Sequence, residues 1–333
     1  MFSQKSKKTG VLILNTGSPD APTPSAVRRY LAQFLSDRRV IELPRWLWLP
    51  VLHGVILNVR PRRSARLYRR VWTAAGSPLL LATQNLAQQL QQRLAQAGLP
   101  APVLAGMRYG RPSIAAALGQ LLDQGVERLV ALPLFPQYSA TTSAAMLDGV
   151  YAALAGLRRQ PQLITIADYH AHPAYLEALA EGIRRAWSAQ GQAEMMLFSF
   201  HGIPAAYAAH GDPYPQHCQA TAARLADLLG LEQRQWMLSY QSRFGPQQWL
   251  QPYTDQALQA LGRRGCASLQ VSCPGFAVDC LETLDEIAHE GRQIYEQAGG
   301  KGFAYLPALN DTPTHAGALA QVALDAAKYL ASG

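Results

Sequence analysis

Residues 11–19 read Val-Leu-Ile-Leu-Asn-Thr-Gly-Ser-Pro, a four-residue apolar run closed by a turn in which Gly17 and Pro19 stop the strand. A short apolar run bounded by Gly and Pro is what a strand buried on both faces of a parallel sheet requires. Downstream the pattern turns helical. Thr23 stands as an N-cap with Pro24 at the first helical position, and Val27, Tyr30, Leu31, Phe34 and Leu35 share one face. The same alternation continues to the end of the chain. Val103–Met107, Leu129–Leu134, Leu163–Ala167, Met196–Phe200, Met237–Tyr240 and Leu269–Ser272 are strand candidates. Amphipathic stretches such as Ile114–Leu122, Tyr175–Trp187 and Cys218–Leu229 lie between them. Strand and helix in alternation predict an α/β protein with mostly parallel sheets covered on both faces.

The opening motif recurs. Leu-Ile-Leu-Asn-Thr16-Gly17-Ser18-Pro19 parallels Leu-Phe-Ser-Phe-His201-Gly202-Ile203-Pro204, and Arg108-Tyr109-Gly110 with Pro112 parallels Arg243-Phe244-Gly245 with Pro246. Gly125 and Leu129 before Leu132-Pro133 parallel Gly265 and Leu269 before Cys273-Pro274. Three pairs in the same order predict two similar lobes, residues 1–170 and 171–312, with a last helix over 313–333 packing back on the first. In open α/β sheets ligands sit beyond the carboxyl ends of the strands. Thr16, Gln137, Tyr138, His201, Arg243 and the stretch from Asp279 to Glu282 all follow predicted strands, so a cleft between the halves is the expected site.

Composition narrows the classes. The 333 residues are 49% hydrophobic and 16% charged, which excludes a mainly disordered chain. Thirty Lys and Arg against 22 Asp and Glu give a net charge of +8 and favour anionic partners. No RNA- or zinc-finger-type pattern supports nucleic acid, and neither phosphate-cradling glycine motif follows a strand. The longest nearly apolar stretch, Trp46 to Val59, is 14 residues long, too short to span a bilayer. Arg60, Arg62, Arg63, Arg66, Arg69 and Arg70 follow it, so an apolar patch rimmed by guanidinium could seat a flat carboxylated ligand or touch an anionic membrane surface. Without a signal-type leader the protein is expected in the cytoplasm, with peripheral membrane association through that patch. Cys218, Cys266, Cys273 and Cys280 form no CxxC pair. The last three recur every seven residues, a spacing that suits buried thiols rather than a cluster or zinc site.

Two features carry chemistry. His201 stands where an apolar strand ends beside Gly202. A lone histidine of this kind is commonly a core residue satisfied by a backbone bond, but its place at a strand end makes it a candidate proton acceptor or ligand. Asp279, Glu282 and Glu286, at i, i+3 and i+7, predict three acids on one face of a helix. Acids in a first turn complement the helix dipole, which accounts for Asp279 and Glu282 but not for Glu286. Imidazole and carboxylate together suit a borderline divalent cation held in passing as a substrate.

The segments VLILNTGSPDAPTPSAVRRY (11–30), LPLFPQYSATT (132–142), FSFHGIP (198–204), YQSRFGPQQWLQPY (240–253), CPGFAVDCLETLDEI (273–287) and PALNDT (307–312) together resemble the ferrochelatase family, especially its proteobacterial members. The resemblance implies a chelatase fold of two Rossmann-like lobes with parallel four-stranded-type sheets, and insertion of Fe2+ into protoporphyrin IX in the cleft between them. By motif match His201 and Glu282 would be the catalytic, metal-binding pair. Asp279 and Glu286 would extend a proton or metal path, and Thr16, Tyr138 and Arg243 would bind the porphyrin. Thr16 departs from the larger apolar residue more usual there. No tightly bound cofactor is implied, and no iron–sulfur cluster is expected, since the cysteine-bearing C-terminal extension of cluster-containing members is not seen. A monomer is favoured, with no nucleic-acid partner. A chelatase for coproporphyrin or another tetrapyrrole, and a haem or porphyrin carrier, are the competing readings.

Overall fold

The structure is a computed structural model that describes residues 7–331. The chain divides into two compact units. One holds the residues up to Leu134, Ala140–Asp168 and the residues from Asp311 onward; the other holds Phe135–Ser139 and Tyr169–Asn310.

The first unit is built on strands β1 (Thr9–Asn15), β2 (Val103–Met107), β3 (Arg128–Pro133) and β4 (Gln162–Thr165). They form one parallel sheet in the order β2-β1-β3-β4. Val11 to Leu14, in the middle of it, are fully buried, as an all-apolar run flanked by strands on both sides must be. Thr23 caps the helix Pro24–Phe34 by accepting the Ala26 N–H, with Pro24 at the first position. Val27, Tyr30 and Leu31 on its inner face join a core with Leu52, Leu57 and Tyr109. The C-terminal helix Pro313–Ala331 packs on the helix Pro78–Gln96. Asn85 and Gln89 of that helix donate to the side chain and carbonyl of Asp311.

The second unit repeats the plan with β5 (Met195–His201), β6 (Trp236–Gln241), β7 (Ser268–Ser272) and β8 (Gly302–Leu306), all parallel in the order β6-β5-β7-β8. Its core gathers Leu197, Leu258, Val271, Ile287 and Phe303. The internal repeat is thus a repeat of topology. In each unit the second strand of the order ends in the Gly-x-Pro turn, and its glycine is pressed against a neighbouring chain. A Cβ on Gly17, itself at φ +99, would meet the Tyr109 carbonyl oxygen at 1.9 Å, and one on Gly202 would meet that of Gln241 at 2.9 Å. The neighbouring strand also ends alike in both units: Met107 donates its N–H to the Pro112 carbonyl at 2.7 Å and Tyr240 its own to that of Pro252 at 2.8 Å. The counterpart of Pro112 is therefore Pro252 rather than Pro246, the second unit carrying extra residues in the turn.

The lobe boundary read from the sequence needs one correction. Phe135–Ser139, inside the expected first lobe, belongs to the second unit. Its polar side chains find their partners there: the Gln137 amide donates to Thr221 Oγ1 at 3.0 Å and Ser139 Oγ to the Asp212 carboxylate at 2.8 Å.

The arginine-rimmed apolar stretch is helical, Arg45–Val51 and Leu57–Val71 being joined by a π-helical turn over Leu52–Ile56. Leu52 and Leu57 face the core, while Trp46 and Val59 are 79% and 70% exposed. Among the described residues no helix is long and apolar enough to cross a membrane.

Candidate active site

Strand β5 carries the apolar run Met195–Phe200 through the centre of the second sheet and releases His201 at its carboxyl end, half-buried. His201 Nδ1 lies 2.6 Å from the Gly202 carbonyl oxygen. A carbonyl can only accept, so Nδ1 carries the proton and Nε2 of the neutral ring keeps its lone pair. Among the described residues Nε2 has no hydrogen-bond partner, and the Phe276 ring flanks the imidazole at 6.4 Å between centroids. The histidine is thus oriented by one backbone bond and left with a free basic nitrogen.

The acids arrive on a helix of unusual width. Glu282–Gly291 is π-helical, ten residues with i→i+5 hydrogen bonding, a form that occurs mostly as single turns and often at functional sites. Glu282 and Glu286 both stand on it. Asp279 does not: it precedes the first helical residue, so the expected face of three acids is not formed. Its carboxylate accepts from Thr283 Oγ1 at 2.8 Å, Tyr305 OH at 2.5 Å and Asn310 Nδ2 at 2.7 Å, which ties β8 and the turn after it to the start of the wide helix. The row that the helix does present is Glu282, Glu286 and Glu290, four residues apart, with Glu290 exposed.

Glu286 has a strongly perturbed carboxyl. Burial raises its pKa from 4.5 to about 7, helped by the negative charges of Glu282 and Glu290 and opposed by two bonds from Ser242. Those bonds run from the Ser242 N–H at 2.6 Å and from its hydroxyl at 2.5 Å. Ser242 follows the last residue of β6 at φ 66, a left-handed backbone that costs about 1 kcal/mol in a non-glycine residue and turns both donors onto one carboxylate. A carboxyl that titrates near neutrality is suited to taking up and releasing protons. The imidazole Nε2 and this row of carboxylates also supply the N and O donors that Fe2+, Co2+ or Zn2+ accept.

The other residues singled out in the sequence make contacts of their own. Arg243 is held by Asp255 at 2.6 Å and stacks over the Tyr253 ring at 4.1 Å, so its guanidinium is engaged within the second unit. Tyr138 is half-buried, and its backbone N–H donates to His217 Nδ1 at 3.2 Å. Thr16 belongs to the first unit, half-buried beyond β1, where its carbonyl accepts the Tyr109 N–H at 2.9 Å. Sequence reasoning missed Ser242 and Glu290. The four-residue spacing of Glu282, Glu286 and Glu290 was there to be read, but nothing in the sequence signals the left-handed serine.

The sequence profile described as Ferrochelatase matches residues 8–327. A ferrochelatase of Edwardsiella ictaluri is 54% identical over 305 residues, 92% of this chain and 94% of that one. A ferrochelatase of Thioalkalivibrio sulfidiphilus is 50% identical over 317 residues, 95% of this chain and 86% of its own length. Among solved structures, SirB from Bacillus subtilis with Fe3+ superposes with a TM-score of 0.57 at 12% identity, covering 97% of this chain and 98% of that one, which shows the shared chelatase fold. With a profile match over nearly its whole length and half its residues shared with curated members, the chain belongs to the ferrochelatase family.

Proposed function

We propose that this protein inserts Fe2+ into protoporphyrin IX and releases two protons, a lyase reaction that completes haem biosynthesis. Within a family of this activity, the observation that carries the reading is His201: an imidazole oriented through Nδ1, with an unpartnered Nε2, in the unit that also carries the row Glu282, Glu286 and Glu290.

The chemistry asks for little else. A porphyrin must lose two pyrrole protons as a divalent cation enters, so charge is conserved and nothing is oxidised. His201 Nε2, the ring nitrogen left without a partner, takes a pyrrole proton. Glu282 supplies carboxylate oxygen to the incoming ion or takes the second proton, and Glu286, half-ionised near pH 7, passes protons or ions along the wide helix toward exposed Glu290. Asp279, saturated by three side-chain donors, holds the start of that helix in place. By the motif match Tyr138 and Thr16 are each assigned to porphyrin binding, and Arg243 reaches a propionate by exchanging Asp255 for it.

Fe2+ is substrate here, and no resident cofactor or iron–sulfur cluster is needed. Cys218, Cys266, Cys273 and Cys280 are buried free thiols whose spacing matches no cluster motif. In this reading the protein is a cytoplasmic monomer. It touches anionic membrane lipid through the exposed Trp46 and Val59 and the arginines that follow them. Comparing turnover on protoporphyrin IX and coproporphyrin under anaerobic Fe2+ tests the substrate: preference for the first supports this reading, and preference for the second, or binding without insertion, overturns it.

A further inference from the structure

Gln241 is the last residue of β6, only 3% exposed, and it stands between the two groups to which the proposed mechanism assigns the chemistry. On one side it pairs in register with His201, and its carbonyl accepts the Gly202 N–H at 2.8 Å, so its backbone fixes the peptide that joins His201 to Gly202, the residue whose carbonyl orients the imidazole. On the other side its Nε2 donates to the backbone carbonyl of Glu282 at 2.9 Å, at the first residue of the wide helix.

The amide orientation is determined by its partners. The Glu282 carbonyl can only accept, so nitrogen faces it, and Oε1 receives Ser199 Oγ at 2.8 Å and the Cys273 thiol at 3.5 Å. Ser199 and Ser239 are each held in turn by Thr254 Oγ1, at 2.9 and 2.8 Å. The side chain is thus gripped at its oxygen by β5 and the turn after β7, and it grips the helix with its nitrogen. The next residue, Ser242, holds Glu286. One strand end therefore clamps the first two acids of the row Glu282, Glu286 and Glu290, Glu282 through its backbone and Glu286 through its carboxylate.

We propose that Gln241 is a positioning residue that sets Glu282 against His201, through hydrogen bonds to the peptides carrying both. The inference rests on the metal-insertion reading above. Groups that must act on one substrate need placement to within ~0.5 Å, which an unbroken chain of buried bonds supplies and a side chain without a donor does not. Methionine has nearly the same shape as glutamine but makes neither bond, and asparagine is one methylene too short to reach both partners.

The test is anaerobic metal insertion by wild type, Gln241→Met, Gln241→Asn and, as a control, Tyr295→Phe. Tyr295→Phe removes a different buried bond of the same unit, from the tyrosine hydroxyl to the Cys266 carbonyl. Porphyrin affinity is read by tryptophan quenching and Tm by calorimetry. Both Gln241 variants are expected to lose tenfold or more in kcat with porphyrin Kd within twofold of wild type. Tyr295→Phe is expected to keep kcat although its Tm falls. Wild-type kcat in either folded Gln241 variant overturns the proposal, and so does an equal kcat loss in Tyr295→Phe. If Gln241→Met does not fold, Gln241→Asn decides on the same criteria. An inactive wild type overturns instead the metal-insertion reading, and with it this inference.

Discussion

Ser242 gives Glu286 both of its donors, the backbone N–H reaching one carboxylate oxygen at 2.6 Å and the hydroxyl the other at 2.5 Å. These bonds favour the ionised acid, yet burial outweighs them and the pKa is raised to about 7. The carboxyl is held at the balance point of two opposed effects.

That balance has a consequence for stability. The folded protein holds the Glu286 proton more tightly than the unfolded chain, whose acid titrates near 4.5. The stabilisation is fully present below that value and is lost as pH rises toward 7, a change of about 3 kcal/mol if Glu286 acts alone. Glu286→Gln, which stays neutral, is expected to gain stability over wild type between pH 5 and pH 8 in urea unfolding. An unchanged difference across that window would contradict the assignment.

Removing the hydroxyl bond moves the same group in a known direction. Ser242→Ala is expected to raise the Glu286 pKa further, since one of the two bonds that oppose burial is gone. Carbon-13 titration of the side-chain carboxyl reads this directly, and a pKa that falls in the variant would refute the account.

Asp279 is expected to behave as an anchor. Asp279→Asn sets an NH2 group against the donors of Asn310, Tyr305 or Thr283, at a cost of about 1–3 kcal/mol in folding. Urea unfolding measures the cost. Full stability together with a hundredfold loss of turnover would instead make Asp279 part of the proton or metal path.

The exposed face around Trp46 and Val59 gives a binding prediction. The protein is expected to float with vesicles containing phosphatidylglycerol and to be released by salt, with Trp46→Ser/Val59→Ser losing at least half of the bound fraction. Equal recovery with neutral phosphatidylcholine vesicles would show that the arginines play no part in it.

Much of this architecture can be read from the chain because buried parallel strands are written as apolar runs. Val11–Leu14 and Met196–Phe200 announce the centres of both sheets, and the Gly-x-Pro turns after them mark where the second half repeats the first. Strand β8 escaped because Gly302-Phe-Ala-Tyr-Leu306 is short, opens on glycine and is only partly buried, so it lacks that contrast. The wide helix escaped for a different reason. An i→i+5 ladder keeps apolar residues on one side much as an α-helix does, so Asp279, Glu282 and Glu286 read as one α-helical face. Its true start at Glu282 leaves Asp279 outside. Arg243 shows a further limit, since a partner such as Asp255, twelve residues on, is a matter of how the chain returns and not of local pattern.

The most direct test of the central claim is anaerobic Fe2+ insertion into protoporphyrin IX, followed by absorbance, for wild type, His201→Ala and Glu282→Ala, with porphyrin binding measured alongside. The account predicts turnover in wild type and a loss of a hundredfold or more in each variant, while porphyrin still binds. Full activity in His201→Ala would contradict it.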